Sequence, residues 1–535
     1  MGFIKADRFQ QNFLGYCIDD FAKSDQKSRF VVHIVSRVNT DFLFARYSDQ
    51  GGDAYSPDVM LVLWFYAYSE GITSSRKLEE LCWYDTRYIY LSCNLRPDHT
   101  TLSRFRQHNL DLLVDYFVQI VLIAEKEGLS GFKRISIDGS KIKAACSSKQ
   151  SYRDDQLSNK IESIREDIQQ YMARCLLSEE GTADDLDLET LRAEKARLEE
   201  LEKRLVERHQ QLQERQKTLK AEHRRNHQIN IVEPEARFMP KSDGPNYNVQ
   251  TSVDSETNLI VNNDVTDEPN DQNQFENMHK RTESTISADP ARQYMADSGF
   301  HSLKQLEYID NNRIDAIIAE PTPAHRSVNT KLPTIDSILR ERRKVKRSDF
   351  AYHADEDYYA CPNGDNLFPI GKGKKQDITI YQAQNCGSCP LAELCMSNKA
   401  KLKRIHRNHL EYLAEQMYGK MQTDEAKIRM KIRATTVEPV FGNLKQNLGF
   451  RRFHLRGLQK VKGEFNLMCI AHNLNVLFKL IYRQGIAHVS SDLLIEIRSL
   501  YRFLQQIMTT TFDHIFKMWK YIICLRNHPN YILLF

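Results

Sequence analysis

Asp138, Asp297 and Glu438 are the acidic residues whose settings in this sequence suggest chemistry. Asp138 closes the run Arg134-Ile135-Ser136-Ile137 and precedes Gly139, so its side chain should emerge at the end of a strand. Asp297 ends Tyr294-Met295-Ala296 in the same way, with Gly299 two residues on. Glu438 lies in a helical pattern in which Val437, Phe441, Leu444 and Leu448 form an apolar face, and Glu438, Gly442 and Lys445 align beside it. Three carboxylates at strand and helix ends suit Mg²⁺ or Mn²⁺, hard cations that take oxygen ligands and, for Mg²⁺, keep several waters. A pair of such cations cleaves phosphodiesters, one activating the nucleophile and the other stabilising the leaving oxygen. Lys445, two turns from Glu438, would meet a phosphate. Taken singly, each carboxylate has a plainer reading: Asp-Gly after a strand is turn chemistry, and Glu at a helix start offsets the dipole.

A second constellation is Cys361, Cys386, Cys389 and Cys395, with 24, 2 and 5 residues between successive members. Four soft thiolates, two of them in Cys-x-x-Cys, suit tetrahedral Zn²⁺, and Gly364 and Gly387 supply tight turns. The set reads as a structural zinc ribbon, with unliganded core cysteines as the alternative. All four positions would be filled, which argues against catalytic zinc.

The elements around these residues follow from periodicity. Helical patterning runs from about Phe30 to His108; Ser74 and Ser75 can cap a helix over 76–83, and Thr100 a second one carrying Arg104 and Arg106. Such a pair is compatible with a helix-turn-helix reader of DNA. After the first strand, Leu157, Ile161, Ile164, Ile168, Tyr171 and Cys175 form one stripe, and Leu191, Leu198, Leu205, Leu212 and Leu219 recur every seven residues. With a turn around Gly181, they predict an antiparallel helical hairpin; a zipper dimer is the rival. Strands over 247–253 and 259–265, a helix from about Gln272, a strand ending at Asp297, a helix from Ser302 and a strand over 314–319 complete a mixed sheet flanked by helices.

At 535 residues the chain exceeds one core. The N-terminus lacks the apolar stretch of a signal peptide, and the longest apolar run, Val59 to Tyr68, is too short to span a bilayer, so no membrane is expected. Eleven cysteines spread over this length point to a reducing compartment. The net charge of +4 identifies no partner, but residues 399–462 carry 16 Lys/Arg against 5 Asp/Glu, a local excess suited to phosphate.

The sequence resembles the DDE transposases of bacterial insertion sequences, in the branch with an InsH-type helical N-terminal domain and a four-cysteine insertion. The resemblance rests on Ser74-Ser75-Arg76-Lys77, Arg96 to Arg106, Ile137-Asp138-Gly139-Ser140-Lys141, Tyr247 to Thr251, Ala296 to Phe300, Val437 to Gly442, and Arg456-Gly457 to Ala471-His472-Asn473-Leu474. It implies a multidomain α/β chain with a ribonuclease-H-like mixed-sheet core, an all-α N-terminal domain and the two insertions. Asp138, Asp297 and Glu438 would hold Mg²⁺ (or Mn²⁺), and Lys445, Arg433, Arg451, Arg452, Arg104 and Arg106 would contact DNA. Related enzymes place an Arg four residues before the Glu, where this chain has Ala434; Arg433 is one position off.

The expected partners are double-stranded terminal inverted repeats and target DNA, with a homodimer on DNA and a cytoplasmic, nucleoid-associated location. The segments are 1–125 (helical DNA-binding and dimerisation), 126–150 (first strand), 151–235 (helical hairpin), 236–340 (core strands and second Asp), 341–405 (four-cysteine insertion), 406–485 (Glu helix and basic segment) and 486–535 (tail). A nuclease without strand transfer and a non-catalytic DNA-binding regulator are the alternatives.

Overall fold

The structure, a computed structural model, describes residues 2–483 except 11–16, 22–25, 48–51, 180–187, 218, 220–223, 225–226, 241, 321–333, 374–376 and 398–399. The tail from 486 and the turn around Gly181 therefore lie outside the described residues, as does the side chain of Cys175.

The sheet that carries the acidic residues has five principal strands: β1 (Arg134–Lys143), β2 (Pro245–Asp254), β3 (Ile260–Thr266), β4 (Gln293–Ala296) and β5 (Asp315–Ile318). Their order is β3-β2-β1-β4-β5, with the short strand Arg237–Phe238 paired to the start of β2. β2 runs antiparallel to β1 and β3, whereas β4 is parallel to both β1 and β5. Ile135 and Ile137 are fully buried, and β2 is buried along its whole length, including Asn248, Gln250 and Ser252. A polar residue at every second position of a strand covered on both sides must find partners inside the protein.

The N-terminal helices do not stand apart from this sheet. Pro57–Ser69 is buried on all sides except at Asp58 and packs, with Leu113–Lys126, against the long helix Leu458–Arg483, which also covers β3. One apolar core runs from Phe30 to Leu477 through helices and sheet alike. Asn473 ties the C-terminal helix to β3, accepting from Ile260 N (2.9 Å) and donating to Ile260 O (2.8 Å). Among the described residues no helix is long and apolar enough to cross a membrane.

The helical hairpin forms within the chain, from Asp154–Glu179 and Leu188–Lys217, and not as a zipper between copies. The two helices run antiparallel: Asp154 meets His209 (2.9 Å) and Arg165 meets Glu202 (2.6 Å). Leu157, Ile161, Ile164, Ile168, Leu205 and Leu212 make its private core.

Two local expectations are corrected. Ser74 caps Ser75–Tyr84 as expected, accepting from Lys77 N, but the cap of His99–His108 is Asp98, not Thr100. The Asp98 carboxylate accepts from the amides of Thr100 (2.8 Å) and Thr101 (3.1 Å), and a six-residue helix, Thr86–Leu91, intervenes between the two. The segment read as a small zinc-ribbon-like insertion over 341–405 contains a second, five-stranded antiparallel sheet that runs on past 405: Ala351–His353, Tyr358–Ala360, Asn366–Lys372, Ile378–Ala383 and Arg404–Asn408. It has its own small core around Phe350, Tyr359, Leu367 and Tyr381.

Candidate active site

β1 and β4 lie side by side, and their last shared pair is Ile137 with Ala296. The next residue along each chain is an aspartate, Asp138 and Asp297. Asp138 does not end its strand as expected, since β1 continues to Lys143 along β2; it is β4 that stops at Ala296, so parallel pairing sets the two carboxylates side by side at the C-terminal end of β4. The helix Asp424–Gly442 lies over this end and brings Arg433 between them: its guanidinium is 2.9 Å from Asp138 Oδ1 and 3.8 Å from Asp297 Oδ2. Asp138 accepts from the Gly139 amide (2.9 Å) and Asp297 from the Gly299 amide (2.9 Å), which fixes both carboxylates from behind.

Burial pushes the Asp138 carboxyl up to about 7, with Asp297 and Asp271 adding to the shift and Arg433 and the Gly139 amide opposing it. A desolvated carboxylate beside two others calls for positive charge. Arg433 supplies part of it, and its side chain is only 11% exposed.

Lys445 lies beyond the end of this helix, in the π-turn Asn443–Asn447, and donates to Ser140 Oγ at 2.6 Å, two residues along β1 from Asp138. Burial, with some help from Lys141, lowers its pKa, while Asp138 opposes the shift. Arg451 and Arg452 follow the turn and are exposed, Arg451 donating to Lys445 O (3.1 Å).

Glu438 is on the same helix as Arg433 but exposed, with no ion pair or hydrogen bond among the described residues. The structure therefore gathers Asp138, Asp297 and Arg433 and leaves Glu438 outside the group. Among the described residues, no three of His, Cys, Asp and Glu stand close enough to hold a metal ion. The donor set nevertheless fits a divalent cation in kind: two hard carboxylates, both half-buried, face each other across a guanidinium that already acts as their counter-cation.

The sequence reading missed several residues here. Asp271, from the loop after β3, accepts from Asn248 Nδ2 (2.8 Å) and Gln250 Nε2 (2.5 Å) and lies against both glycines that follow the aspartates. Thr251, the β2 partner of Asp138, is fully buried, and its hydroxyl has no partner among the described residues. The polar alternation of β2 was the available signal.

Of the remaining basic residues, Arg104 is exposed on His99–His108, but Arg106 is not available to DNA. Its guanidinium is buried, donating to Tyr68 Oη (2.9 Å) and Thr73 O (2.8 Å) and lying 4.4 Å from the Trp64 ring centroid.

Cys361, Cys386 and Cys389 sit in loops of the second sheet and Cys395 ends the short helix Ala392–Cys395, and all four line one cavity with Phe350, Leu367 and Leu391. Burial raises Cys361 and Cys395, with further upward contributions from neighbouring cysteines of the set. The Lys403 amide donates to Cys386 Sγ at 3.5 Å. All nine cysteines whose side chains are described are free thiols.

With this geometry in view, two family models match the sequence: a transposase DDE domain over residues 360–478 and a transposase domain, DUF772, over residues 17–108. Both matched segments are similar to transposase domains, and neither covers half of the chain. The first spans the four cysteines, the last three strands of the second sheet, the Arg433–Glu438 helix and Lys445, and the second spans the capped helices with Arg104 and Arg106. Asp138 and Asp297 fall between the two matched segments. No curated protein matches the sequence.

Proposed function

We propose that this protein is a DDE transposase that binds the terminal inverted repeats of an insertion sequence, hydrolyses the phosphodiesters at its ends and joins the freed 3′-hydroxyl to target DNA. The observation that carries this reading is the pair Asp138 and Asp297, one residue past the last β1–β4 pair and bridged by Arg433. The strand order β3-β2-β1-β4-β5, with only β2 antiparallel to its neighbours, supports a ribonuclease-H-like core. Asp138, Asp297 and, from the overlying helix, Glu438 would hold Mg²⁺ (or Mn²⁺), which supplies charge neutralisation and an activated nucleophile.

The chain's own groups orient the substrate. Lys445 would neutralise a phosphate near β1, Arg451 and Arg452 would extend that contact along the backbone, and Arg104 would reach DNA from the N-terminal helices. Arg433 would pass from the aspartates to phosphate as the cation takes over their charge. The protein would act as a homodimer on paired ends, in the cytoplasm beside the nucleoid.

The test is incubation of the full chain with Mg²⁺, an end-bearing DNA and a target plasmid. Joined products support transposition, cleavage without joining would reduce the reading to a nuclease, and no cleavage would leave a DNA-binding regulator. Lys445→Ala should weaken DNA binding at every sequence and lower the slope of log affinity against log salt by about one. Fluorescence anisotropy across a salt series measures it, and an unchanged slope removes Lys445 from the interface.

For the cysteine module we propose a structural Zn²⁺ held by Cys361, Cys386, Cys389 and Cys395, supported by four soft thiolates lining one cavity; as they stand no three are within ligand reach of one point, so the side chains would have to close on the ion. Protein purified without chelator should then carry about one Zn²⁺ per chain by mass spectrometry, and Cys389→Ser should lose most of it. A metal-free, fully stable wild-type protein would refute this assignment.

A further inference from the structure

Asp271 has no role in the chemistry described so far, yet three elements are arranged to hold it. Asn248 and Gln250, two residues apart on β2, both donate to its Oδ1. A Cβ on Gly139 would lie 2.5 Å from that same oxygen, and one on Gly299 would lie 3.3 Å from its Oδ2. The glycine after each candidate catalytic aspartate therefore leaves space that the Asp271 carboxylate uses. Neither glycine is needed for a left-handed turn, since neither is among the positive-φ residues.

The group is also incomplete. Gln250 is fully buried, and while its Nε2 is spent on Asp271 and Asn248, its Oε1 has no partner among the described residues. The hydroxyl of Thr251, on the opposite face of β2 and level with Asp138, is also fully buried and without a partner among the described residues. Buried acceptors without donors are costly unless something with hydrogens fills the gap. A small cation that keeps part of its water shell brings such hydrogens, and the surplus negative charge of Asp138, Asp297 and Asp271 over Arg433 attracts it.

We propose that Asp271 is a positioning residue of the cation site, taking the water shell of a hydrated divalent cation held by Asp138 and Asp297, with Gln250 orienting it. The inference rests on the reading of Asp138 and Asp297 as cation ligands. It accounts for a site in which, among the described residues, Asp138 and Asp297 stand together while Glu438 remains outside: until Glu438 joins them, the further contacts pass through water.

The experiment is a Mn²⁺ titration of the full chain without DNA, followed by electron paramagnetic resonance, on wild type, Asp271→Asn, Gly139→Ala and Asp138→Asn. Asp271→Asn keeps the shape and removes the charge, so Mn²⁺ affinity should fall about 10- to 100-fold, the usual cost of losing an outer-shell partner. Gly139→Ala keeps the charge but puts a methyl where Asp271 Oδ1 stands, and should weaken binding in the same direction. Thermal midpoints without cation identify any variant that has lost its fold, and the other variant then decides. Loss of binding in Asp138→Asn with wild-type affinity in whichever of Asp271→Asn and Gly139→Ala stay folded overturns this inference alone. Wild-type affinity in Asp138→Asn overturns the cation site itself.

Discussion

Asp138→Asn and Asp297→Asn are each expected to abolish DNA cleavage, with rates at least about 10³-fold below wild type, because each removes a charge that a cation needs to stabilise the transition state by several kcal/mol. Asparagine keeps the side-chain oxygen that accepts from the Gly139 or Gly299 amide, so the strand ends should hold their shape. For Asp138 the charge is itself a burden to the fold, since burial pushes its carboxyl up to about 7. Removing it frees the protein of an ion that costs energy to bury, while Arg433 loses its nearer partner and keeps Asp297 at 3.8 Å. The two effects oppose each other, and the thermal midpoint should move little.

Glu438→Gln should lose cleavage without any change in stability, because Glu438 is exposed and makes no contact to lose. The measurement is a single-turnover cleavage assay on end-bearing DNA, with end binding followed separately without divalent cation. If all three variants cut at the wild-type rate, these carboxylates are not the catalytic ones. If Glu438→Gln alone cuts normally, the third carboxylate lies elsewhere.

Much of this arrangement was legible in the sequence, and the parts that were not share a cause. Asp138 and Asp297 stood out because an apolar run followed by Asp and a nearby Gly is a local pattern, and parallel pairing then makes them neighbours, although β1 runs on past Asp138 to Lys143. The hairpin was legible because seven-residue spacing of Leu191, Leu198, Leu205 and Leu212 states its own geometry. Asp271 was hidden in the polar run Asp267-Glu268-Pro269-Asn270-Asp271, which reads as a loop, and its significance lies in amides donated from another strand more than twenty residues earlier.

The second sheet escaped for a different reason. Strands as short as Ala351–His353 and Tyr358–Ala360 carry too few residues for alternation to register, and their stability comes from Arg407 against the Tyr352 ring, 3.6 Å from its centroid, and the Tyr359–Tyr381 contact. Thr100 gave way to Asp98 as a cap because a carboxylate accepts from two amides at once.

Arg106 shows how far a basic residue on a capped helix can mislead, and Arg106→Ala should destabilise the core by about 3–5 kcal/mol. Truncation deprives the buried Tyr68 hydroxyl and the Thr73 carbonyl of their donor, empties the space over Trp64 and removes a desolvated cation–π contact. The loss should propagate toward the site. Thr73 bonds His454 (3.3 Å), and Gly71, at φ +75°, packs so closely on Leu448 that a Cβ would lie 2.9 Å from its carbonyl oxygen. Residues 448–454 follow the π-turn that holds Lys445 and include Arg451 and Arg452, so a loosened 71–73 loop unseats the segment that would carry the phosphate contacts. Arg104→Ala, on the exposed side of the same helix, should leave the unfolding midpoint unchanged and weaken DNA binding. Arg106→Lys should recover only part of the stability, because one ammonium cannot both lie flat on Trp64 and span Tyr68 and Thr73. Chemical denaturation of the three variants, with DNA affinity measured below the transition, separates these roles. A stable Arg106→Ala protein with weakened DNA affinity would return Arg106 to the interface.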